Sequence, residues 1–597
     1  MKKYIICLLV AVFSLSSCND VLDITPDGRV SLDEVFNDPD LTASYLSDCY
    51  NNIPKKSRRY FWFQNYPTAL SDESWSCDDV EGQGPILVYR GNASASLNPV
   101  DNEYHDQFDA RYWEKYWQQI RLCNVFLERI PTAKLNSEED RSRYTGEALT
   151  LRAFFYLQLV KWYGAVPVEK TPFPMDYDYS QVRKNTAVEC FKAIVEDCDE
   201  ALKTNMPWRL TSSNEAWRMT KGIAMAVRSQ AALYAASELY NGGENLWEWA
   251  YNINKDCFDQ LKANGFELYT KQQTGNYSSA YAEYFAQNGE FSGNPVDKET
   301  IWQSQYTEEP FWYVWGTPAH NNYMAGDVPS QQLVDAYDML ETGKPVLNLE
   351  KPYNDEFMLE PNYNQGSGYN AKKPYEGRDP RFYATVIYNG CKVQIGNSTV
   401  TIQTYAGGNS ELNQTSRRNT RTGYYARKGM YYASSQTAGG EDGKWKYYRL
   451  GEIYLNLAEA AIESGNHIQE GINLINEIRH RAGFDPSVDV KAANQAEARL
   501  LLRHERQVEL AYEEHRYFDV RRWTRADQNL DNEKYCVGMN VVRKGLSTNY
   551  ERFIVGSDGS TPSKMNYEAK WHYLPIPVDE ASRMESLTGV KWQNQGW

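Results

Sequence analysis

The chain has 597 residues, 42% of them hydrophobic and 24% charged, with a formal net charge of -16. Its mean hydropathy of -0.68 describes a soluble globular body long enough to bury a large core. The negative balance argues against nucleic acid or an anionic membrane surface as a partner. The outlier is aromatic content, 17 Trp, 45 Tyr and 20 Phe, which points beyond core packing because exposed aromatic clusters usually mark binding sites.

The chain opens MKKYIICLLVAVFSLSSCND. Lys2 and Lys3 precede an apolar run that ends on small residues, the layout of a secretory signal rather than of a membrane span, which needs about 20 apolar residues. Leu15-Ser16-Ser17-Cys18 is similar to the lipobox of bacterial lipoproteins, in which the cysteine is acylated and becomes the new first residue. More than one acyl chain would make that anchor stable. Residues 1–17 therefore read as a signal, and residues 18–40, polar with two prolines, as a lipidated tether.

From about 41 to 265 helices dominate. The run 147–167 is apolar nearly all round, as in a buried helix, and Gly164 and Pro167 stop it. The run 219–243 is rich in alanine and ends at Gly242-Gly243. From about 270 to 445 periodicity fades, and RFYATVIYNG (381–390) reads as a strand. Helical spacing returns at 446–464 and 468–483, a helical hairpin, and in a charged helix at about 495–523. Residues 526–597 read as loops. Recurrent hairpins suggest a helical-repeat scaffold around a loop-rich, aromatic-rich middle.

HERQV (504–508) lacks the second histidine of a zinc motif, GQGPIL (82–87) lacks the last glycine of a dinucleotide loop, and no cofactor is implied. The sequence leaves a structural calcium open. Eight cysteines besides Cys7 and Cys18 have haphazard spacings and read as free buried thiols. In ERQVELAYEEHRYFDVRRW (505–523), arginines interleave with Glu505, Glu509, Glu513 and Asp519. That pattern favours a structural ion network over the paired acid and base of a glycosidase.

Two aromatic clusters carry the binding reading. Residues 62–79 place Trp62, Tyr66 and Trp75 about a polar turn. Residues 308–327 place Phe311, Trp312, Tyr313, Trp315 and Tyr323 beside His320, Asn321 and Asn322. Sugars suit this combination, since their apolar ring faces lie on aromatic faces while hydroxyls need amide partners. The candidate ligand-binding residues are Trp75, Phe311, Trp312, Tyr313, Trp315, Asn321, Asn322 and Tyr323.

Taken in order, LSSC, EALTLRAFFYLQLVKWYGAVP, RMTKGIAMAVRSQAALYAA, PSQQLVDAYDM, GRDPRFYATV, YRLGEIYLNLAEAAIESGN, INEIRHRAG, ERQVELAYEEHRYFDVRRW and LPIP resemble the SusD/RagB family of surface lipoproteins. The resemblance implies a mainly α fold with tetratricopeptide-like helix pairs on one side and loops on the other, in one unit over 41–597. It implies no catalysis, an outer-membrane location, and a partner, a SusC-like TonB-dependent barrel to which captured oligosaccharides are delivered. It places ligand contacts in loops where Trp75 and the 311–323 cluster stand, and makes Arg152 and Arg228 buried, paired scaffold residues. A surface glycoside hydrolase, or peptide in place of glycan as cargo, are the competing expectations.

Overall fold

A stack of long helices forms the frame. The computed structural model describes residues 30–54, 66–77, 84–98, 112–210, 212, 215, 217–272, 278–286, 297–304, 319, 325–395, 398–429, 445–525, 527, 535–545, 547–556 and 568–597. After a short helical turn at Leu32–Phe36, helix α1 covers Pro39–Asp48; α2 follows at Tyr112–Arg129 and α3 at Glu138–Tyr163. Helices α4 (Ala187–Leu202), α5 (Lys221–Ala236) and α6 (Trp247–Ala263) continue the stack. Late in the chain come α7 (Leu450–Ser464), α8 (Ile468–Ala482), α9 (Gln495–Glu509), α10 (His515–Arg522) and α11 (Val578–Thr588). Each of α2 to α8 packs on the next in chain order, α6 on α7 included, so helices far apart in sequence complete one layer. Such consecutive pairing is the logic of a helical-repeat scaffold. One apolar cluster runs through it from Phe36 to Trp592.

Local chemistry sets the helix ends. The Ser137 hydroxyl accepts from Asp140 N at 3.0 Å and three acidic residues occupy the first turn of α3, where the helix dipole favours them. At the other end Gly164 turns away with φ 72°. The expected helix within 147–167 is thus real but begins nine residues earlier, because the polar first turns lie outside the apolar stretch. The expected helix over 219–243 ends at Ala236. The Ser237 hydroxyl donates to Leu233 O at 2.9 Å, and Gly242 and Gly243 lie in the turn beyond. The hairpin expected at 446–464 and 468–483 is α7 and α8, with Gly465 left-handed between them, but residues 446–449 are a strand and the first helix begins at Leu450.

Three expectations need correction. Residues 381–390 are chiefly helical: Asp379 caps a helix over Pro380–Thr385 by accepting from Arg381 N, and only Val386–Ile387 is a strand. The charged stretch 495–523 is two helices, because Tyr512 and Glu514 adopt left-handed φ of 61° and 68°. The C-terminal residues are not all loop, since they hold an antiparallel hairpin and α11.

Short two-stranded ribbons make up the strand content of the described residues. In chain order the strands are β1 (Ser74–Ser76), β2 (Thr300–Gln303), β3 (Asp327–Pro329), β4 (Val386–Ile387), β5 (Lys392–Ile395), β6 (Ser398–Thr401), β7 (Tyr425–Ala426), β8 (Lys446–Arg449), β9 (Val537–Lys544) and β10 (Ser547–Ile554). They pair antiparallel as β1–β3, β2–β8, β4–β7, β5–β6 and β9–β10. Among the described residues, no helix is long and apolar enough to cross a membrane. The eight cysteines of the described residues are free and buried.

Candidate functional site

In sequence, the second aromatic cluster falls between strands of two ribbons, β2 and β3. The segment 305–324 leaves β2 and enters β3. At its start Ser304 N donates to Trp445 O at 2.7 Å, and at its end Ala325 N donates to Arg417 O at 2.9 Å. Gly326 O accepts from Cys77 N at 3.0 Å, while Ser330 N reaches Glu73 O at 2.9 Å, so β1 and β3 are clamped at both ends. Phe311, Trp312, Tyr313, Trp315, His320, Asn321, Asn322 and Tyr323 lie outside the described residues, as do Cys18 and Trp62. Ala319 is described and packs against the core.

Trp75 sits elsewhere than an open platform requires. It is 1% exposed, faces Val328 across the β1–β3 ribbon, and stacks on Tyr89 with ring centroids 4.4 Å apart. Both neighbours occupy surface that a sugar face would need. Trp75 is a core residue that stiffens the ribbon.

Beneath the ribbons lies a lattice of buried ions, which is what 505–523 builds. Glu509, at the end of α9, accepts from Arg449 at 2.7 Å and from Arg381 at 2.9 Å, and also pairs with Arg481. Glu513 accepts from Arg449 at 2.7 Å and from Lys428 at 2.6 Å. Glu299, just before β2, takes Arg449 at 3.0 Å and Arg481 at 2.8 Å. Arg381 further pairs with Asp379 at 2.8 Å and Glu505 at 2.5 Å. These partners come from β8, α8, the 380–385 helix and the turn after β7, so the lattice binds the ribbon side to the helices.

The left-handed bend between α9 and α10 places Glu513 on the Arg449 guanidinium that Glu509 also holds. It also sends the Tyr512 hydroxyl to Asp327 O at 3.1 Å, under β3. On the far side of the bend Arg516 grips Asp72 with two bonds of 2.7 Å, just before β1. Asp519 holds Arg506 at 2.8 Å and Arg522 at 2.8 Å.

Burial alone would raise these carboxyls, yet the surrounding guanidinium and ammonium charges prevail and hold Glu509 and Glu513 down at about 2. Both are fixed as ions, unsuited to donating a proton near neutrality. Glu73 is the opposite case. Its Oε2 has no hydrogen-bond partner, and burial with the Asp72 charge pushes its carboxyl up to about 8, against the pull of Arg516 and Lys428.

The remaining motifs resolve as packing. His504 Nε2 lies 2.7 Å from Asp338, which also pairs with Arg479. No His, Cys, Asp or Glu group suited to a metal is found among the described residues. GQGPIL runs into a helix over Gly84–Tyr89. Arg152 forks onto Asp197 at 2.7 and 2.8 Å and reaches Asn124 at 2.9 Å. Arg228 pairs with Asp199 and Asp256. The sequence reading missed Glu299, Arg381 and Arg449, whose partners, apart from Asp379 beside Arg381, lie 60 to 182 positions away and leave no local pattern.

The model of the family described as "SusD family" matches residues 271–597, and one described as "Starch-binding associating with outer membrane" matches 65–233. A curated relative, SusD-like protein P38 of Formosa agariphila, is 23% identical over 230 residues, 38% of this chain and 41% of that protein. The match thus spans less than half of that relative's length. A SusD-like protein from Bacteroides fragilis of known structure is 26% identical, with a TM-score of 0.71, covering 95% of this chain and 99% of that one. Surface glycan-binding protein A from Bacteroides fluxus superposes with a TM-score of 0.58 at 18% identity, covering 93% and 99%. The SusD-like neighbours share the helical, tetratricopeptide-like architecture expected from the sequence. With the family match spanning more than half of its residues, the chain belongs to the SusD family.

Proposed function

We propose that this protein is a non-catalytic glycan-binding lipoprotein of the outer-membrane surface. In this reading acyl chains on Cys18 anchor it, rings of the 311–323 segment take up oligosaccharide, and a SusC-like TonB-dependent barrel receives the cargo. The observation that carries the reading is the placement of the aromatic segment. Phe311, Trp312, Tyr313, Trp315 and Tyr323, with Asn321 and Asn322, occur in one segment whose two ends are bonded to separate ribbons, and the ion lattice ties those ribbons to the scaffold. Aromatic side chains supply large contact area at little side-chain entropy cost, which suits modest, releasable affinity.

The family descriptions and a neighbour named for glycan binding support the ligand class and the outer-membrane location. Glu509 and Glu513 are engaged as ions, which favours binding over hydrolysis. Calorimetry of the mature chain against an oligosaccharide panel beginning with maltooligosaccharides tests the reading. Trp312→Ala and Trp315→Ala are each expected to weaken binding at least about tenfold, the weight of roughly 1.4 kcal/mol for one desolvated ring. Binding unchanged in both would remove the site. Release of reducing sugar by the purified protein would replace the reading with a hydrolase, and heat with peptides alone would replace the cargo.

A further inference from the structure

We propose that Cys49 and Cys123 are a disulfide-forming pair that staples the first packed helix of the chain to the helical scaffold. Cys49 caps α1 and Cys123 lies in α2, and both are fully buried. The neighbouring Cys123 thiol and burial together raise the Cys49 thiol well above its ordinary pKa, and the Cys49 thiol donates to Tyr45 O at 3.6 Å within its own helix. Helices α1 and α2 pack together, with Tyr45 stacked on Phe126 at 6.3 Å.

The two helices are locked in register at this height. One turn before Cys123, the Gln119 amide, oriented to satisfy its neighbours, donates to Asp48 O at 3.0 Å and Cys49 O at 3.2 Å. Tyr45 on Phe126 and Gln119 on Cys49 O thus bracket Cys123 against the end of α1, so its approach to Cys49 follows from packing. Other thiols are engaged differently: Cys190 donates to Val166 O at 3.2 Å, and the Cys257 sulfur accepts from Arg228 at 3.5 Å.

The oxidant is a protein disulfide of an envelope thiol oxidase. One cysteine thiolate attacks that disulfide, forming a mixed disulfide and releasing the oxidase's other sulfur as thiolate. The second cysteine, deprotonated in turn, displaces the oxidase's remaining sulfur. One S–S bond forms in this chain, the oxidase gains two electrons as a dithiol, and the two protons leave to solvent or to the oxidase thiolates. Burial orders the events. The exchange takes place while the chain folds, and the closed core afterwards shields the bond from reductants.

The consequence is mechanical. Cys49 follows the proposed anchor Cys18 by 31 positions, so a load on the tether enters the body through the Leu32–Phe36 turn, where Phe36 O accepts from Lys134 N at 2.8 Å, and then α1. A covalent bond to α2 passes that load to the stack instead of to side-chain contacts such as Tyr50 on Glu147, at 2.6 Å. This rests on the envelope location proposed above, where disulfides persist.

The test expresses the full chain with its own leader in a Gram-negative host. The membrane fraction is denatured in iodoacetamide without reductant, and the peptides are mapped by mass. Expected is one cross-link joining the Cys49 and Cys123 peptides, two hydrogens lighter than the free pair, and a melting temperature that falls on reduction in the native chain but not in the C49S/C123S variant. Membrane-bound protein with both residues alkylated, or linked to other cysteines, overturns the pairing while leaving the binding reading intact. Should the protein be found in the cytosol, the proposed function fails instead. The purified chain refolded in a glutathione redox buffer then decides the pairing, and unlinked Cys49 and Cys123 there overturn it.

Discussion

Glu509 shows how much of this molecule depends on single charges. Its carboxylate faces Arg381, Arg449 and Arg481, all of them buried. Glu509→Gln keeps the shape but leaves three guanidinium groups short of one counter-charge. A loss of about 3–5 kcal/mol in urea unfolding is expected, the usual cost of breaking a buried pair from one side. The pH dependence has two arms of opposite sign. Glu509 and Glu513, held near 2, contribute stability that is present above the ordinary carboxyl range and lost as pH falls toward about 2. Glu73, raised to about 8, keeps its proton in the folded state, so its contribution is lost as pH climbs from about 4.5 to about 8. Glu73→Gln is therefore expected to lose less stability between pH 5 and pH 8 than the native chain, read as the urea midpoint against pH. An identical slope in both proteins would show that Glu73 is already ionised. Trp75 belongs to this level too. Trp75→Ala removes a fully buried indole and should cost about 3–5 kcal/mol, so weaker sugar binding by that variant would report a damaged ribbon rather than a lost contact.

The way helices and ribbons meet is narrowly constrained at a few backbone positions. Gly423 has φ 90°, and a Cβ there would lie 2.1 Å from Met539 O, while Met539 N donates to Thr422 O at 2.7 Å. Since the obstacle is backbone, the β9–β10 hairpin must separate from the 420–426 turn to admit a methyl group. Gly423→Ala should cost at least about 2 kcal/mol, seen as a lowered melting temperature. A neutral outcome would mean that the hairpin is only loosely docked. Legibility differed sharply between elements. The helices within 147–167, at 446–464 and at 468–483 carried apolar spacing that survives in the structure, because each buries a wide face against neighbours. The bend after Glu509 was invisible, since neither Tyr512 nor Glu514 is a residue that signals a left-handed turn. It exists because the ion lattice and the Tyr512 bond to β3 outweigh the local cost of that conformation. The helix at 380–385 was misread because β-branched and aromatic residues there serve the core while the Asp379 cap and Pro380 set the backbone.

Across the whole molecule, a stack of helices and a set of ribbons are joined by charges drawn from distant parts of the sequence. The proposed binding segment is attached to that joint rather than to the helices directly, so the frame can stay rigid while the loop chemistry differs. What the amino-acid sequence determined unaided was chemical and local. It specified the polar-flanked apolar run ending at Cys18, the helices with a repeating buried face, the interleaved charges of 505–523 and the concentration of rings at 311–323. These follow from residue order alone, because periodicity, capping and composition act over a few turns. Only the tertiary structure decided which arginine meets which carboxylate, that Trp75 stacks on Tyr89, and that the helices carrying Cys49 and Cys123 pack together. Those outcomes depend on which elements pack together, and closing loops of tens to hundreds of residues leaves no periodic trace along the chain.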